Sequence, residues 1–252
     1  MIQFTPIRYI EIFNIKIYVW GLFVLISILI TFFLVYKRVK KEKLDEKIIY
    51  DLFLISIIFG FLGARILYAI ENGFEDFFYI QKGGLSWYGF LLAYFMIFLY
   101  LKIKKVSFRY LEIIAIFLPL AQAIGRIGCF LNWDDYGVYT SLPWGIKVDD
   151  FPRHPSQLYE SFACLLIFFI LLFIDKKTTK KNIIVKAYFL LYPFSRFVLD
   201  FLRDSNRYFG LTLAQWISLI ILIFTSFVIS LDLKRNRLKK IKKEFKRKKK
   251  KD

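Results

Sequence analysis

Apolar segments of about twenty residues alternate with short polar connections along most of the chain. About 20 consecutive apolar residues cross the hydrocarbon core of a bilayer, so each segment predicts a membrane-spanning helix. The predicted spans are residues 15–36, 48–70, 85–101, 111–131, 157–174, 184–202 and 213–233. The pattern therefore predicts an all-α membrane protein with about seven transmembrane helices, in which residues 1–233 form one polytopic domain.

Basic residues are concentrated in alternate connections between these spans. Of the 38 Lys and Arg residues, 28 lie after the first, third and fifth spans and in the basic tail of residues 234–252. Because cytoplasmic segments carry the excess of Lys and Arg, we expect an external N-terminus and a cytoplasmic C-terminus. The net charge of +18 therefore indicates topology and contact with membrane lipids, and it does not indicate nucleic-acid binding.

Three arginines lie inside predicted spans. Arg65, Arg126 and Arg196 each precede the outer end of a span by five or six residues, so we expect them about 7–9 Å below the outer interface. An arginine near mid-membrane costs about 3 kcal/mol on insertion scales and normally faces a protein-lined cavity. The pattern predicts one polar pocket at this depth, whose guanidinium groups suit the oxygens of a phosphate.

Further polar residues are expected to surround this pocket. Arg196, Asp200 and Arg203 have the spacing of one helix face, on which the carboxylate orients both guanidinium groups. A purely structural ion pair is the alternative interpretation. The long connection of residues 132–155, between the fourth and fifth spans, predicts an ordered outer loop over the pocket.

Other candidate groups are few. Tyr88, at the outer end of the third span, stands either at the mouth of the pocket or in the aromatic belt of a membrane interface. The chain has one histidine, His154, and two cysteines, Cys129 and Cys164. One histidine and two cysteines are too few to predict a disulfide framework or a metal site built from histidine or cysteine. We also expect no cofactor.

Several motifs together resemble those of the bacterial prolipoprotein diacylglyceryl transferases. They are LGAR, GGLSWYG, GRIGCFLNWDDYG, LPWGI, RHPSQLYE, SRFVLDFLRD and LTLAQW, in this order. The resemblance implies a seven-span enzyme of the plasma membrane that transfers the diacylglyceryl group of phosphatidylglycerol to the lipobox cysteine of a lipoprotein precursor. Glycerol phosphate is released. This chemistry needs a thiolate and a stabilised departing phosphate, and arginines in a water-poor pocket supply the second need.

The resemblance also implies roles for individual residues. Arg126 would bind the lipid phosphate, and Arg196 would stabilise the leaving group with Asp200 orienting it. The remaining candidates for substrate binding are Arg65, Asn132, Gly137 and Arg203, and Tyr88 completes the catalytic candidates.

The chain departs from the family pattern at the position of the thiol base. Many members carry a histidine where this chain has Tyr88, and tyrosine, with a pKa of about 10, is a poor base. The proton acceptor stays open among Tyr88, Asp134, Asp135 and a water assisted by the arginines.

Three other functions compete with this interpretation. They are a divergent paralogue with another acceptor, a transporter of an anionic solute and a non-catalytic lipid scaffold. We expect no second charged cluster in the inner halves of the spans, and this expectation favours the enzyme over the transporter.

Overall fold

Seven α-helices, α1 to α7, form the main part of the described structure. A computed structural model describes residues 2–13, 15–78, 87–148, 151–178 and 182–248. The helices in these residues are Val19–Lys41, Lys47–Asn72, Phe90–Ile103, Arg109–Asn132, Ser156–Lys177, Ile183–Leu199 and Leu213–Lys248. Short 3₁₀ segments lie at Phe74–Phe77, Trp87–Gly89 and Asp200–Leu202.

Helix length and composition fit a multi-pass membrane protein. Among the described residues, five helices are long and apolar enough to cross a membrane, namely α1, α2, α4, α5 and the Leu213–Arg235 part of α7. Helix α3 is a shorter apolar helix of 14 residues, and α6 has 17 residues. The prediction of a helical membrane protein is confirmed at this level.

Five short β-strands in the described parts of the chain, β1 to β5, were not predicted. They are Ile2–Gln3, Tyr9–Ile12, Ile15–Tyr18, Ile146–Lys147 and Pro152–Arg153. Strands β2 and β3 form an antiparallel hairpin, so α1 begins at Val19 and not at residue 15. Strand β4 pairs with β1 in parallel and with β5 in antiparallel orientation. Strands of two to four residues are too short to leave an alternating pattern in the sequence.

Three predicted helix limits also differ from the structure. Helix α3 begins at Phe90, and residues 79–86, which include the predicted start of the third span, lie outside the described chain. Helix α6 ends at Leu199, three residues before the predicted end of the sixth span. Helix α7 continues through much of the basic tail to Lys248, because Lys and Arg favour a helix as well as apolar residues do.

Helix α4 occupies the centre of the fold. It packs against α1, α5 and α6, and 61% of its span is buried, compared with 11–33% for the other four candidate spans. Its residues Tyr110, Ile113 and Ile116 belong to the apolar core, which also contains Leu171 of α5 and Tyr188 of α6. Burial on several sides makes α4 the helix on which polar groups from its neighbours converge.

Close backbone contact fixes the start of α3 against α2. A Cβ atom on Gly89 would lie 1.9 Å from the Ala64 nitrogen, and a Cβ atom on Gly63 would lie 2.3 Å from the Gly89 oxygen. Only glycine permits this approach. The contact positions the neighbouring Tyr88 towards the interior, where it is 4% exposed.

An ionic cluster joins the start of α4 to the ends of α1 and α5. We call it the clamp, and it consists of Arg38, Glu42, Arg109, Glu112 and Asp175. Arg109 donates to Glu42 at 2.8 Å, to Asp175 at 2.6 Å and to Glu112 at 3.0 Å. Arg38 pairs with Glu42 at 2.6 Å and also with Asp175.

The clamp lies at the opposite end of α4 from Arg126. Of its five residues only Glu112 falls inside a predicted span, residues 111–131, and the other four lie just beyond the ends of predicted spans. In the sequence these groups look like ordinary flanking charges, and only the packing of α1, α4 and α5 brings them together.

Candidate active site

The carboxylate of Glu160 joins two of the predicted arginines. Glu160 lies in the second turn of α5 and is 5% exposed. Its Oε2 forms an ion pair with Arg126 Nε of α4 at 2.6 Å, and its Oε1 accepts a hydrogen bond from Arg196 Nη1 of α6. Arg126 and Arg196, which were predicted to face one pocket, therefore meet on a single buried carboxylate.

A chain of further ion pairs extends from these residues. Arg126 Nη1 donates to Asp135 Oδ2 at 2.8 Å, and Asp135 Oδ1 pairs with Arg203. Asp200 Oδ1 lies 3.1 Å from Arg196 Nη2 and 3.9 Å from Arg203 Nη1. We call the connected group of three arginines and three carboxylates the site cluster, and it consists of Arg126, Arg196, Arg203, Asp135, Glu160 and Asp200.

The backbone at the end of α6 differs from the expected single helix face. Helix α6 ends at Leu199, Asp200 begins a 3₁₀ segment, and Arg203 has extended backbone with φ −91° and ψ 142°. The spacing argument is therefore wrong for Arg203, since the chain leaves the helix before reaching it. Arg203 still approaches Asp200, and the bend aims its guanidinium at Asp135.

Asp200 is fixed by the first turn of α7. Thr212 precedes α7, and its hydroxyl donates to Asp200 Oδ2. The same hydroxyl oxygen accepts from the Gln215 amide at 3.1 Å, while Gln215 Oε1 accepts from the Thr212 amide at 2.9 Å. This reciprocal pair is a capping box, which ties the orientation of a charged group to the start of a helix.

Neither Glu160 nor Thr212 is among the predicted site residues, although the sequence holds a signal for each. Gln157, Glu160, Ser161 and Cys164 form a polar stripe at helical spacing inside an apolar segment, and all four are buried. The T-x-x-Q pattern before an apolar run is typical of a capping box.

Two predicted binding residues lie at the end of α4 and in the connection that follows it. Asn132 donates to Asp134 Oδ2 at 2.7 Å. Gly137 donates to the His154 carbonyl at 2.9 Å, and a Cβ atom there would lie 2.5 Å from His154 Cβ and 2.7 Å from the Leu202 oxygen. Gly137 is thus needed for the connection to pass between His154 and the end of α6, beside Arg203.

The adjacent carboxyls of Asp134 and Asp135 have opposite electrostatic environments. Burial, followed by the charge of Asp135, raises the pKa of Asp134 above its ordinary value. Desolvation also acts to raise the pKa of Asp135, but the charges of Arg203 and Arg126 outweigh it and hold that pKa below its ordinary value. Asp134 Oδ1 is buried and has no hydrogen-bond partner among the described residues.

Tyr88 is held close to the site by its ring and by its hydroxyl. The ring packs edge-on against Tyr192, one turn before Arg196, with centroids 6.3 Å apart. The hydroxyl lies 2.5 Å from Ser218 Oγ. Because the Ser218 hydroxyl donates to the Ala214 carbonyl at 2.7 Å, its oxygen is left to accept the Tyr88 proton. Tyr88 is therefore a hydrogen-bond donor in this arrangement.

Arg65 lies on α2 in a different setting. It is 3% exposed, its Nε donates to the Phe77 carbonyl at 3.1 Å, and its guanidinium lies 5.5 Å from the centre of the Tyr68 ring. The side chain borders a groove with apolar walls, which are formed by Ile57, Ile58, Phe61, Leu62, Phe77 and Phe78. The structure thus brings Arg126, Arg196 and Arg203 into one cluster and places Arg65 at this groove.

One group of side chains has the composition of a metal site. Cys129 Sγ and carboxylate oxygens of Asp134 and Asp135 lie within 4.8 Å of one another. Arg126 opposes a cation there, because its Nη1 binds Asp135 and lies 3.9 Å from the sulfur. The local charge therefore favours an anion over a metal ion.

Comparison with known proteins agrees with the motifs. The family model described as prolipoprotein diacylglyceryl transferase matches residues 8–231. Proteins named phosphatidylglycerol–prolipoprotein diacylglyceryl transferase are similar along most of their length. One from Finegoldia magna is 34% identical over 84% of this chain and 90% of its own, and one from Thermotoga maritima is 37% identical over 82% and 78%.

A relative of the same name from Clostridioides difficile is 33% identical over 83% of this chain and 88% of its own. The matched region contains every residue of the site cluster. The protein therefore belongs to the prolipoprotein diacylglyceryl transferase family.

Proposed function

We propose that the protein transfers the diacylglyceryl group of phosphatidylglycerol to the lipobox cysteine of a lipoprotein precursor and releases glycerol phosphate. The observation that carries this proposal is the pair of buried arginines, Arg126 and Arg196, held together by Glu160. The names of the relatives supply the substrates.

We place the protein in the plasma membrane, with its N-terminus outside and its C-terminal tail of residues 234–252 in the cytoplasm. The distribution of basic residues supports this orientation. The connection between α4 and α5 then lies on the outer side, and the site cluster opens towards the leaflet from which a secreted precursor is modified.

In the reaction, the cysteine thiolate attacks the glycerol carbon that carries the phosphate. A carbon–sulfur bond forms, the carbon–oxygen bond breaks, and the electron pair remains on the phosphate oxygen. The phosphate thereby gains negative charge as the bond breaks. Arg196 stabilises this charge, because a preorganised guanidinium in a buried site needs no reorganisation as the charge develops. Glu160 and Asp200 fix the direction of the Arg196 donors.

Asp134 is the best supported acceptor for the thiol proton. The hydroxyl of Tyr88 is committed as a donor to Ser218, and both oxygens of Asp135 are paired with arginines. Asp134 has a buried oxygen without a partner among the described residues, and its pKa is raised towards the range of an effective base.

Arg65 and its groove suit another part of the lipid. The groove has apolar walls with a guanidinium at its edge, which fits an acyl chain next to a polar headgroup. We propose that this groove receives one acyl chain of phosphatidylglycerol.

The direct test uses purified protein, phosphatidylglycerol and a lipobox peptide, with mass spectrometry to detect the diacylglyceryl thioether. Wild type should form the adduct, and Arg126→Ala should lose at least about 100-fold in rate. Arg207→Ala is the matched control, since Arg207 is an exposed arginine that donates to the Phe201 carbonyl. No adduct from wild type, under conditions in which a relative is active, would reject the proposed function.

A further inference from the structure

Asp135 differs from the other two carboxylates of the site cluster in its place in the fold. The Glu160 and Asp200 side chains are 7% and 1% exposed and lie on α5 and at the end of α6. The Asp135 side chain is 38% exposed and belongs to the connection after α4. Its backbone is fixed, because its carbonyl accepts from Ser156 Oγ at 2.7 Å. The carboxylate therefore borders solvent on a fixed backbone, so that rotation of the side chain is sufficient to turn it away from the cluster.

The Asp135 carboxylate is bound as a bridging anion. One oxygen accepts from Arg126 Nη1 at 2.8 Å, and the other pairs with Arg203 Nη2. Arginines bind a phosphate in a similar way, through parallel hydrogen bonds to its oxygens. Arg203 Nε is buried and has no acceptor among the described residues. Both oxygens of a carboxylate are already used here, whereas a phosphate brings a further oxygen for this donor.

Charge balance also favours replacement of the Asp135 carboxylate by a phosphate. The three arginines and three carboxylates of the site cluster have a net charge of zero. A lipid phosphodiester carries one negative charge, as does the Asp135 carboxylate. Replacing one by the other keeps the cluster neutral, whereas adding a phosphate without removing a carboxylate leaves a buried excess of negative charge, which is costly.

We propose that Asp135 occupies the phosphate position of the site cluster, and that a phosphate ester binds between Arg126 and Arg203 by displacing its carboxylate. The inference rests on the proposed function for the identity of that ester, the phosphodiester of phosphatidylglycerol. Transfer leaves glycerol phosphate, a monoester with a charge of about −1.5 to −2 at neutral pH. The returning Asp135 carboxylate then competes with this product for the arginines and promotes its release.

Binding of glycerol phosphate to the whole protein in maltoside micelles, which contain no phosphate, tests the exchange by calorimetry. Asp135→Asn removes the charge, and asparagine tolerates the left-handed backbone at this position, where φ is 57°. We expect a Kd about tenfold lower than in wild type. Asp204→Asn is the matched control, since it removes a carboxylate that pairs with Arg153 and is 52% exposed. An unchanged or higher Kd in Asp135→Asn overturns the proposal.

A second arm repeats the measurement with phosphatidylglycerol added to the micelles. A lower Kd for both ligands supports exchange with the lipid, whereas a gain for glycerol phosphate alone overturns the assignment of the lipid. If Asp135→Asn does not fold, Asp135→Gly serves in its place, because glycine accepts the same φ.

Neither binding measurement requires catalysis. The transferase function and the exchange of the Asp135 carboxylate for a phosphate can therefore be rejected independently. Tighter binding by Asp135→Asn without any adduct from wild type rejects the transferase and retains the exchange. Adduct formation by wild type with an unchanged Kd in Asp135→Asn rejects the exchange alone.

Discussion

The site cluster and the clamp are built from the same chemical groups and differ in how completely those groups are paired. In the clamp, Arg109 uses Nε, Nη1 and Nη2 on three carboxylates, and each buried polar atom of the five side chains has a partner. In the site cluster, Arg203 Nε is buried and has no hydrogen-bond acceptor among the described residues, whereas Asp200 Oδ1 is held only by ion-pair contacts at 3.1 and 3.9 Å. An unpaired buried polar group costs about 1–3 kcal/mol, which a purely structural cluster avoids.

Helix α4 separates these two roles along its own length. Arg109 begins the helix and Arg126 follows seventeen residues later, which places them about 25 Å apart along the axis. The clamp fixes one end of α4 against α1 and α5, and the other end carries the groups with spare hydrogen-bonding capacity. Rigidity at one end thus supports reactivity at the other, and substitutions at the two ends should separate stability from activity.

Loss of the Glu160 charge should have the largest effect. In Glu160→Gln, Arg126 and Arg196 lose their shared carboxylate in a buried site, and removal of one partner from a buried ion pair costs about 3–5 kcal/mol. We expect a rate of thioether formation at least about 100-fold lower, together with a lower unfolding temperature in detergent.

The matched variant in the clamp is Glu112→Gln. It should lower the unfolding temperature but leave kcat/KM of the folded enzyme close to wild type, because Glu112 pairs with Arg109 and the Asn182 amide. Wild-type kcat/KM in Glu160→Gln, or a large loss in Glu112→Gln, would contradict the division between the two clusters.

Arg-to-Lys substitutions should have the next largest effect. Arg196 donates to Glu160 with one nitrogen and contacts Asp200 with another, and a lysine presents a single charged nitrogen. We expect kcat/KM of Arg196→Lys to be roughly tenfold lower than that of wild type. Arg109→Lys should lower the unfolding temperature at unchanged kcat/KM. Equal activity of Arg196→Lys and wild type would show that charge alone is sufficient.

The sequence predicts the helical membrane fold and, from intramembrane charge, Arg126 and Arg196 of the site cluster, because long apolar segments and charges inside them are strong signals. Arg203 was expected from its helical spacing to Asp200, which the backbone does not follow. The carboxylates are harder to assign. Glu160 follows polar residues at the start of a span, where it resembles a flanking charge, and its role appears only when α4 and α6 present arginines from both sides. The clamp is missed for the same reason, since pairs such as Glu42 and Arg109 are distant in sequence.

The end of α6 shows a second limit. The spacing of Arg196, Asp200 and Arg203 predicts one helix face, but the chain changes from α-helix to a 3₁₀ segment at Asp200. The capping box of Thr212 and Gln215 holds Asp200 from another helix, and this contact between separate elements has no periodic signal in the sequence. Local pattern therefore identifies the groups, and tertiary contacts decide their partners.

Glu42→Gln should have the smallest effect on unfolding temperature, and its dependence on pH tests the clamp alone. Hydrogen bonds from Arg109, which outweigh desolvation, together with those from Arg38, lower the pKa of Glu42 from its ordinary value of 4.5. A carboxyl whose folded-state pKa is depressed stabilises the fold above its unfolded pKa and loses that contribution as pH falls through the folded value. The difference in unfolding temperature between wild type and Glu42→Gln should therefore be constant near neutral pH and shrink below about pH 4.5.

Because Glu42 contacts no residue of the site cluster among the described contacts, kcat/KM at neutral pH should stay unchanged in this variant. A difference in unfolding temperature that grows on acidification would mean that Glu42 is not held ionised by Arg109, and a changed kcat/KM would mean that the two ends of α4 are coupled.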